Sequence, residues 1–255
     1  MSKQIVVLTL ALAVALPSAA LGALSGRDVI VKMKDARECG KDNTAAWRMV
    51  LATKRGDEVT RTLVNYRKRS PEESKTLIFF RAPEDVAGTG LLVRSHGGTD
   101  SQWLYLPDLG RVRQINASAH GESFMGTDFT YADLGDTEVD ERTHQLVGEE
   151  DLEGEPTYKV ESLPKEATTY SKVVTWVSRE TFLPVRVDYY DPAGALLKTG
   201  RFRDVRRVKD IPQPFAIDMQ NVQTGHRTQL SLLELTCDPG LDDDLFTERH
   251  LTRGP

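Results

Sequence analysis

Residues 102–134 read QWLYLPDLGRVRQINASAHGESFMGTDFTYADL. The first part has the form of a β-hairpin. Trp103 and Tyr105 alternate with Gln102, Leu104 and Leu106, Pro107-Asp108-Leu109-Gly110 supplies the turn, and Arg111 to Ile115 runs back with Val112 between Arg111 and Arg113. The last part is different. Phe124, Met125, Phe129 and Tyr131 crowd a segment broken by Gly126, which is poor helix material and too irregular for a strand. Such a segment either plugs the edge of its own core or lies as a lid over an apolar cavity, with Gly126 as its hinge. A lid must exchange contacts, so it is expected to be weakly packed. Truncating Phe124 or Phe129 then costs roughly 1–2 kcal/mol, against ~3–5 kcal/mol for a core Phe.

On the N-terminal side the pattern is also strand-like. Trp47, Met49 and Leu51 alternate with Arg48, Val50 and Ala52, and Val59 to Arg67 alternates after the turn at Gly56-Asp57. Leu77, Ile78, Phe79 and Phe80 stand in an unbroken row, which predicts a strand buried on both faces, one of them under the lid. Pro83 opens a short helical turn, and Leu91 to Ser95 forms the next strand. The GTG at 88–90 has no following Lys-Ser/Thr and opens no helix, so it is not a phosphate loop.

After Gly135 the chain is strands and turns only. Gln145–Leu152, Thr157–Leu163, Val173–Val177, Val185–Tyr190, Ala195–Val208, Ala216–Gln223 and Gln229–Thr236 are separated by Gly-, Pro- and Asp-rich turns. The spacing reads as an antiparallel meander of about eleven strands. Two helices frame it. Ser25 caps an amphipathic helix running to about Cys39, with Val29, Ile30, Met33 and Ala36 on one face and Gly40 ending it. A short C-terminal helix within Leu241–Arg253 docks Leu245 and Phe246. Asp242-Asp243-Asp244 lacks the alternation of a calcium loop and reads as a solvated helix N-terminus.

The chain opens with Lys3, an apolar run from Ile5 to Leu16, and small residues at Ala20 and Gly22. That is the layout of a cleaved signal peptide spanning residues 1–22, with one domain following over residues 23–255. No Cys stands at the junction to carry a lipid anchor. The mature chain is therefore expected in the periplasm, with only transient membrane contact. A net charge of −5 argues against a nucleic-acid partner. Cys39 and Cys237 are the two cysteines, and an even count in an oxidising compartment favours a disulfide, the alternative being two buried thiols.

No pattern points to catalysis. The five histidines form no HxxxH or HxH pair, and GxSxG, Ser-x-x-Lys and Walker motifs are absent. No cofactor is implied. Asp128 and Asp133 make a carboxylate pair that a hydrolase could use, but Asp128 is better placed as the cap of a helical turn over Phe129–Leu134. What remains is binding. Trp47, Phe79, Leu91, Trp103, Tyr105, Phe124, Met125, Phe129 and Tyr131 supply candidate walls for an acyl-chain cavity, because such sites are apolar concavities with few polar groups.

Four stretches carry a family resemblance: FFRAPEDVAGTGLL at 79–92, WLYLPDLGRVRQI at 103–115, FMGTDFTYADL at 124–134, and SKVVTWVSRETFLPVRVDYYDPAGALLKT at 171–199. The sequence resembles the LolA-like outer-membrane lipoprotein-sorting proteins of bacteria. The resemblance implies an unclosed β-barrel of antiparallel strands, with helices covering or lining an apolar cavity. It implies a periplasmic binder that carries lipoprotein acyl chains or other lipids towards the outer membrane. Members of this branch are associated with RND-type lipid exporters, so an inner-membrane RND-type transporter is a second implied partner. The alternative role is a non-transporting module, either a lipoprotein sensor or an accessory subunit of such an exporter. The arginine-bearing motif of the carrier has no clear counterpart here, where KTLIFFRAPEDV stands instead, so the resemblance assigns no arginine a latch role.

Overall fold

A computed structural model of the 255-residue chain describes residues 24–136 and 138–254. The expected signal peptide, residues 1–22, lies outside the described residues. After helix α1 (Gly26–Ala36) come six strands: β1 (Asp42–Ala52), β2 (Glu58–Arg69), β3 (Glu73–Ala82), β4 (Gly90–His96), β5 (Thr99–Leu106) and β6 (Arg111–Ile115). A long connection follows, containing the one-turn helix α2 (Tyr131–Leu134). Seven more strands complete the sheet: β7 (Arg142–Leu152), β8 (Glu155–Pro164), β9 (Lys172–Ser178), β10 (Pro184–Tyr190), β11 (Leu196–Val208), β12 (Ile211–Asn221) and β13 (Arg227–Cys237). A 3-10 turn at Asp243–Phe246 and the one-turn helix α3 (Glu248–Leu251) end the chain.

The strands form one antiparallel sheet in the order β6-β5-β4-β3-β2-β1-β13-β12-β11-β10-β9-β8-β7. It has thirteen strands rather than about eleven. The larger number arises because β5 and β6, the hairpin at 99–115, continue the same sheet as the meander. Two meanders meet where β1 pairs with β13, so both ends of the described chain come to the centre of the sheet. β6 and β7 are then opposite edges and do not pair. Any chain joining them must cross a face from one edge to the other. Residues 116–141 make that crossing, and the segment read as a lid is part of it.

Directly paired residues share a face of the sheet. Leu104, Leu91 and Ile78 lie opposite one another across β5, β4 and β3. Phe80, Leu63, Trp47 and Leu232 do so across β3, β2, β1 and β13. Their face, termed inner, is the one covered by the crossing segment and by α1. Its apolar cluster joins Met49, Leu63, Phe80, Leu91 and Leu104 to Phe124 and Tyr131. A second cluster on the other face holds Leu77, Phe79 and Leu92 under Phe246 and Leu251 of the C-terminal segment. The row Leu77 to Phe80 is thus buried on both faces, as its pattern predicts, two side chains to each.

Ser25 caps α1 in a reciprocal capping box with Asp28. The helix ends at Ala36, about a turn before Cys39, because Cys39 is committed to Cys237 at the end of β13 and Asp42 already begins β1. Val29 and Ile30 pack on Val160 and Val177 at one end of the sheet. Gly26 permits the approach: a Cβ there would lie 2.6 Å from the Leu146 backbone nitrogen on β7. Just beyond the other end of the helix, Glu38 reaches the other half of the sheet, where it accepts from Arg67 and Arg69 of β2. The helix is only about 16 Å long at 1.5 Å per residue. The sheet must therefore curl until its two halves face each other across one helix.

Cys39 and Cys237 form a disulfide with Cα atoms 5.2 Å apart, closing a loop of sequence separation 198. Crosslinking so long a loop contributes on the order of 5 kcal/mol in the chain-entropy limit. The Cys39→Ser/Cys237→Ser double variant is expected to lose about 2–5 kcal/mol of unfolding free energy. Urea unfolding of oxidised wild type against the variant measures it, and coincident midpoints would show that α1 is held by packing alone.

Candidate ligand-binding site

The crossing segment turns at a tight tip. Met125 and Gly126 both adopt left-handed backbone, with φ of 50° and 74°. Gly126 does so without strain, as a hinge residue should. Phe124 N–H donates to Phe129 O at 2.8 Å, and Ser123 bridges Thr130 across the tip. Phe124 is inserted into the inner-face cluster, 2% exposed, with its ring stacked on Phe80 at 5.7 Å and edge-on to Tyr131 at 5.8 Å. The expectation of a weakly packed Phe124 does not hold, because the ring fills the centre of the strand-lined hollow. Phe129 is half-buried and lies outside this cluster.

The segment is also pinned by polar groups from the sheet. Arg61 on β2 donates to the Met125 carbonyl at 2.6 Å, and its guanidinium lies over the Phe80 ring. Buried Gln102 donates to the Tyr131 carbonyl at 3.0 Å. Lys198 of β11 is 2% exposed at its side chain and ion-paired to Asp133, itself 7% exposed. Its ammonium also donates to the Asp128 carbonyl at 2.8 Å and lies over the rings of Tyr170 and Tyr189. The Tyr170 hydroxyl donates to Asp133 at 2.8 Å. Burial, reinforced by Asp133, pushes both tyrosine hydroxyls well above the usual phenol range, so they stay protonated donors.

Asp128 does not cap the following turn. Thr130 does, in a capping box with Asp133. The Asp128 carboxylate instead accepts from Thr228 Oγ1 at 2.7 Å and His226 Nδ1 at 2.8 Å, while its own N–H donates to Thr228. The helical turn begins two residues later than expected, which frees Asp128 to reach β13. Asp128 orients His226 as the acid of a hydrolytic triad would, but no hydroxyl or thiol nucleophile is bonded to the far imidazole nitrogen among the described residues. No cluster of three His, Cys, Asp or Glu side chains that could hold a metal occurs among the described residues. Asp242 caps the C-terminal 3-10 turn, and Asp243 pairs with Lys68 and Lys75.

The structure divides the candidate cavity residues. Trp47, Leu91, Phe124, Met125 and Tyr131 come together on the inner face. Phe79, Trp103 and Tyr105 lie on the outer face, in the cluster under Phe246 and Leu251. Strand alternation separates Phe79 from Phe80, and the pairing of Trp103 with Leu92 and of Tyr105 with Gly90 sends the hairpin aromatics outward. Arg61, Lys198, Gln102, Tyr170 and Thr228 are the site residues that sequence reasoning did not find. Only the isolated Lys in LLKTG, on a strand due to be half-buried, hinted at one of them.

Beside the crossing segment, a partly open cleft of about 190 Å³ lies between α1 and strands β2–β4. Its walls are largely polar. Lys34 pairs with Asp136 at 3.0 Å, and Asp136 N–H reaches Ser95 Oγ at 3.3 Å. Ile78 and Leu134 form its boundary with the apolar cluster.

A structure from Vibrio parahaemolyticus, described as an outer membrane lipoprotein-sorting protein domain, is 31% identical with a TM-score of 0.85, covering 89% of this chain and 98% of its own. A DUF1329 family protein from Desulfovibrio piger is 32% identical with a TM-score of 0.84, covering 89% and 97%. A LolA superfamily protein from Nitrosomonas europaea shares the fold at 19% identity, with a TM-score of 0.72 and coverage of 89% and 100%. A family model described as that of an uncharacterized protein matches residues 72–253. No functionally curated protein matches the sequence. The unclosed sheet and its covered inner face are those of a LolA-like protein. Within that class, the chain belongs to the DUF1329 family.

Asp136 generates a pH prediction. Burial alone would raise its pKa, but the hydrogen bond and charge of Lys34, with Arg67 beyond, hold it below the ordinary 3.8. A depressed folded pKa gives stability that is fully present above the unfolded value and lost as pH falls through the folded one. Wild type should therefore lose stability more steeply below about pH 4 than Asp136→Asn. Unfolding midpoints measured from pH 5 to pH 2 check this, and parallel curves would contradict it.

Proposed function

We propose that the chain is an exported, periplasmic binding protein without enzymatic activity. It holds the acyl chain of a lipid or acylated lipoprotein on the inner face of the sheet and carries it towards the outer membrane. The observation that carries this reading is the Phe124 insertion. One segment of the chain, turned at Met125-Gly126, fills an aliphatic strip of strand residues with a single ring and its neighbours. An acyl chain offers that strip the same kind of contact, at about 0.8 kcal/mol per methylene removed from water.

The clefts of about 190 and 260 Å³ are both smaller than the roughly 300–1,000 Å³ of ordinary ligand pockets. Ligand therefore enters by displacing the lid rather than by filling a standing void. The polar ties to Arg61, Lys198 and Gln102 fix one closed position, and Gly126 gives the tip somewhere to bend. The signal-peptide pattern of residues 1–22 supports export. No helix among the described residues is long and apolar enough to cross a membrane. The relative described as lipoprotein-sorting supports the cargo class.

Phe124→Ala tests this. Truncating a buried Phe should cost about 3–5 kcal/mol. If the vacated hollow is the acyl site, saturating hexadecanoate should raise the Tm of Phe124→Ala more than that of wild type, because ligand binding to the folded state is stabilising. Hexadecanoate that leaves both melting curves unchanged would mean that the inner face is ordinary core.

A further inference from the structure

The polar cavity is unusual in its charge arrangement. Each carboxylate on its wall already has a cation: Asp136 has Lys34 at 3.0 Å, Glu38 has Arg69 at 2.6 Å and Arg67 at 3.2 Å, and Asp133 has Lys198. Arg37 has none. It follows the last residue of α1, is exposed to solvent, and lines this cleft. No carboxylate stands at salt-bridge distance from it among the described residues; the like charge of Arg67 acts on it, and Glu38 and Asp136 act on it from further than an ion pair. The Nε of Arg67, on the same wall, is buried without a hydrogen-bond partner. Arg142 at the start of β7 is also without a carboxylate partner, and both Arg37 and Arg142 act on the Tyr189 hydroxyl.

A guanidinium with no counter-ion is open to an anion, and its planar fork matches a carboxylate or phosphate. The cavity holds roughly six waters' share of liquid volume at about 30 Å³ each, enough for one such group with a little solvent. It touches the apolar cluster at Ile78 and Leu134, next to the lid. A polar cleft with one cation that has no carboxylate partner therefore adjoins an apolar strip under a displaceable cover.

From this juxtaposition we infer that Arg37, with Arg67, forms an oxyanion-binding site for the carboxylate or phosphate head group of an amphipathic ligand whose chain lies along the Phe80–Leu91 strip. The inference rests on the acyl-binding reading and narrows it: the ligand is anionic, and the protein discriminates its head group.

The test uses the mature chain, stripped of lipid, and three probes: hexadecanoate, hexadecanol and inorganic phosphate. Isothermal titration measures each against wild type and Arg37→Gln. Wild type should bind hexadecanoate at least about tenfold tighter than hexadecanol, a difference of about 1.4 kcal/mol. Arg37→Gln should erase that preference by weakening hexadecanoate alone. The variant should melt no lower than wild type, since it removes an unpaired charge, so lost binding cannot be ascribed to unfolding. Equal binding of acid and alcohol, unaffected by Arg37→Gln, would overturn the anion site and leave acyl binding standing. Binding of phosphate alone, lost in Arg37→Gln and without binding of either lipid, would keep an anion site but overturn its assignment to a lipid and the acyl-binding reading with it. Binding of none of the three would overturn both.

Discussion

A sheet of thirteen antiparallel strands that curls without closing has one face with no second sheet to bury against. Everything inside the molecule follows from how that face is covered. The connectivity supplies the cover: β1 pairs with β13, β6 and β7 become opposite edges, and the segment joining them must cross the open side. In a closed barrel, side chains alone would fill the interior. Here a stretch of backbone is brought inside, and its polar groups need partners.

Those partners explain the mixed character of the inner face. Where the crossing segment presents rings, the sheet presents Phe80 and aliphatic side chains; where it presents carbonyls and carboxylates, the sheet presents Arg61, Gln102, Lys198 and Thr228. A buried lysine such as Lys198 is tolerable because Asp133, a carbonyl and two aromatic faces receive its charge. The crossing segment is consequently well fitted to the sheet. Under the proposed function, opening it exchanges a set of polar ties together with one buried ring, which favours two discrete positions over a loose flap.

Much of the fold was legible in the sequence. Period-two patterning and turn residues located the strands, Ser25 marked the start of α1, and the two cysteines found each other. The site was legible only in part. Alternation shows that Phe79 and Phe80 face opposite ways, but not which face the chain will cover with what. The outward destination of Trp103 and Tyr105 depended on Phe246 and Leu251 arriving from the C-terminus. Asp128 looked like a local cap because its partners, Thr228 and His226, lie about a hundred residues away. Arg37 resembles any solvated helix end until the curl of the sheet brings it beside Arg67 on one wall of the cleft. Long-range closure, rather than local propensity, decides each of these.

Hydrogen–deuterium exchange across the crossing segment tests the central claim, that this segment is a cover exchanged for ligand. In the free protein, amides hydrogen-bonded within it, such as Phe124 N–H to Phe129 O and Tyr131 N–H to Glu122 O, should be protected. On adding saturating hexadecanoate, peptides covering residues 120–134 should exchange faster while β1, β2 and β13 keep their protection. Ligand binding that leaves 120–134 unchanged, or protects it further together with the strands, would contradict displacement of the lid.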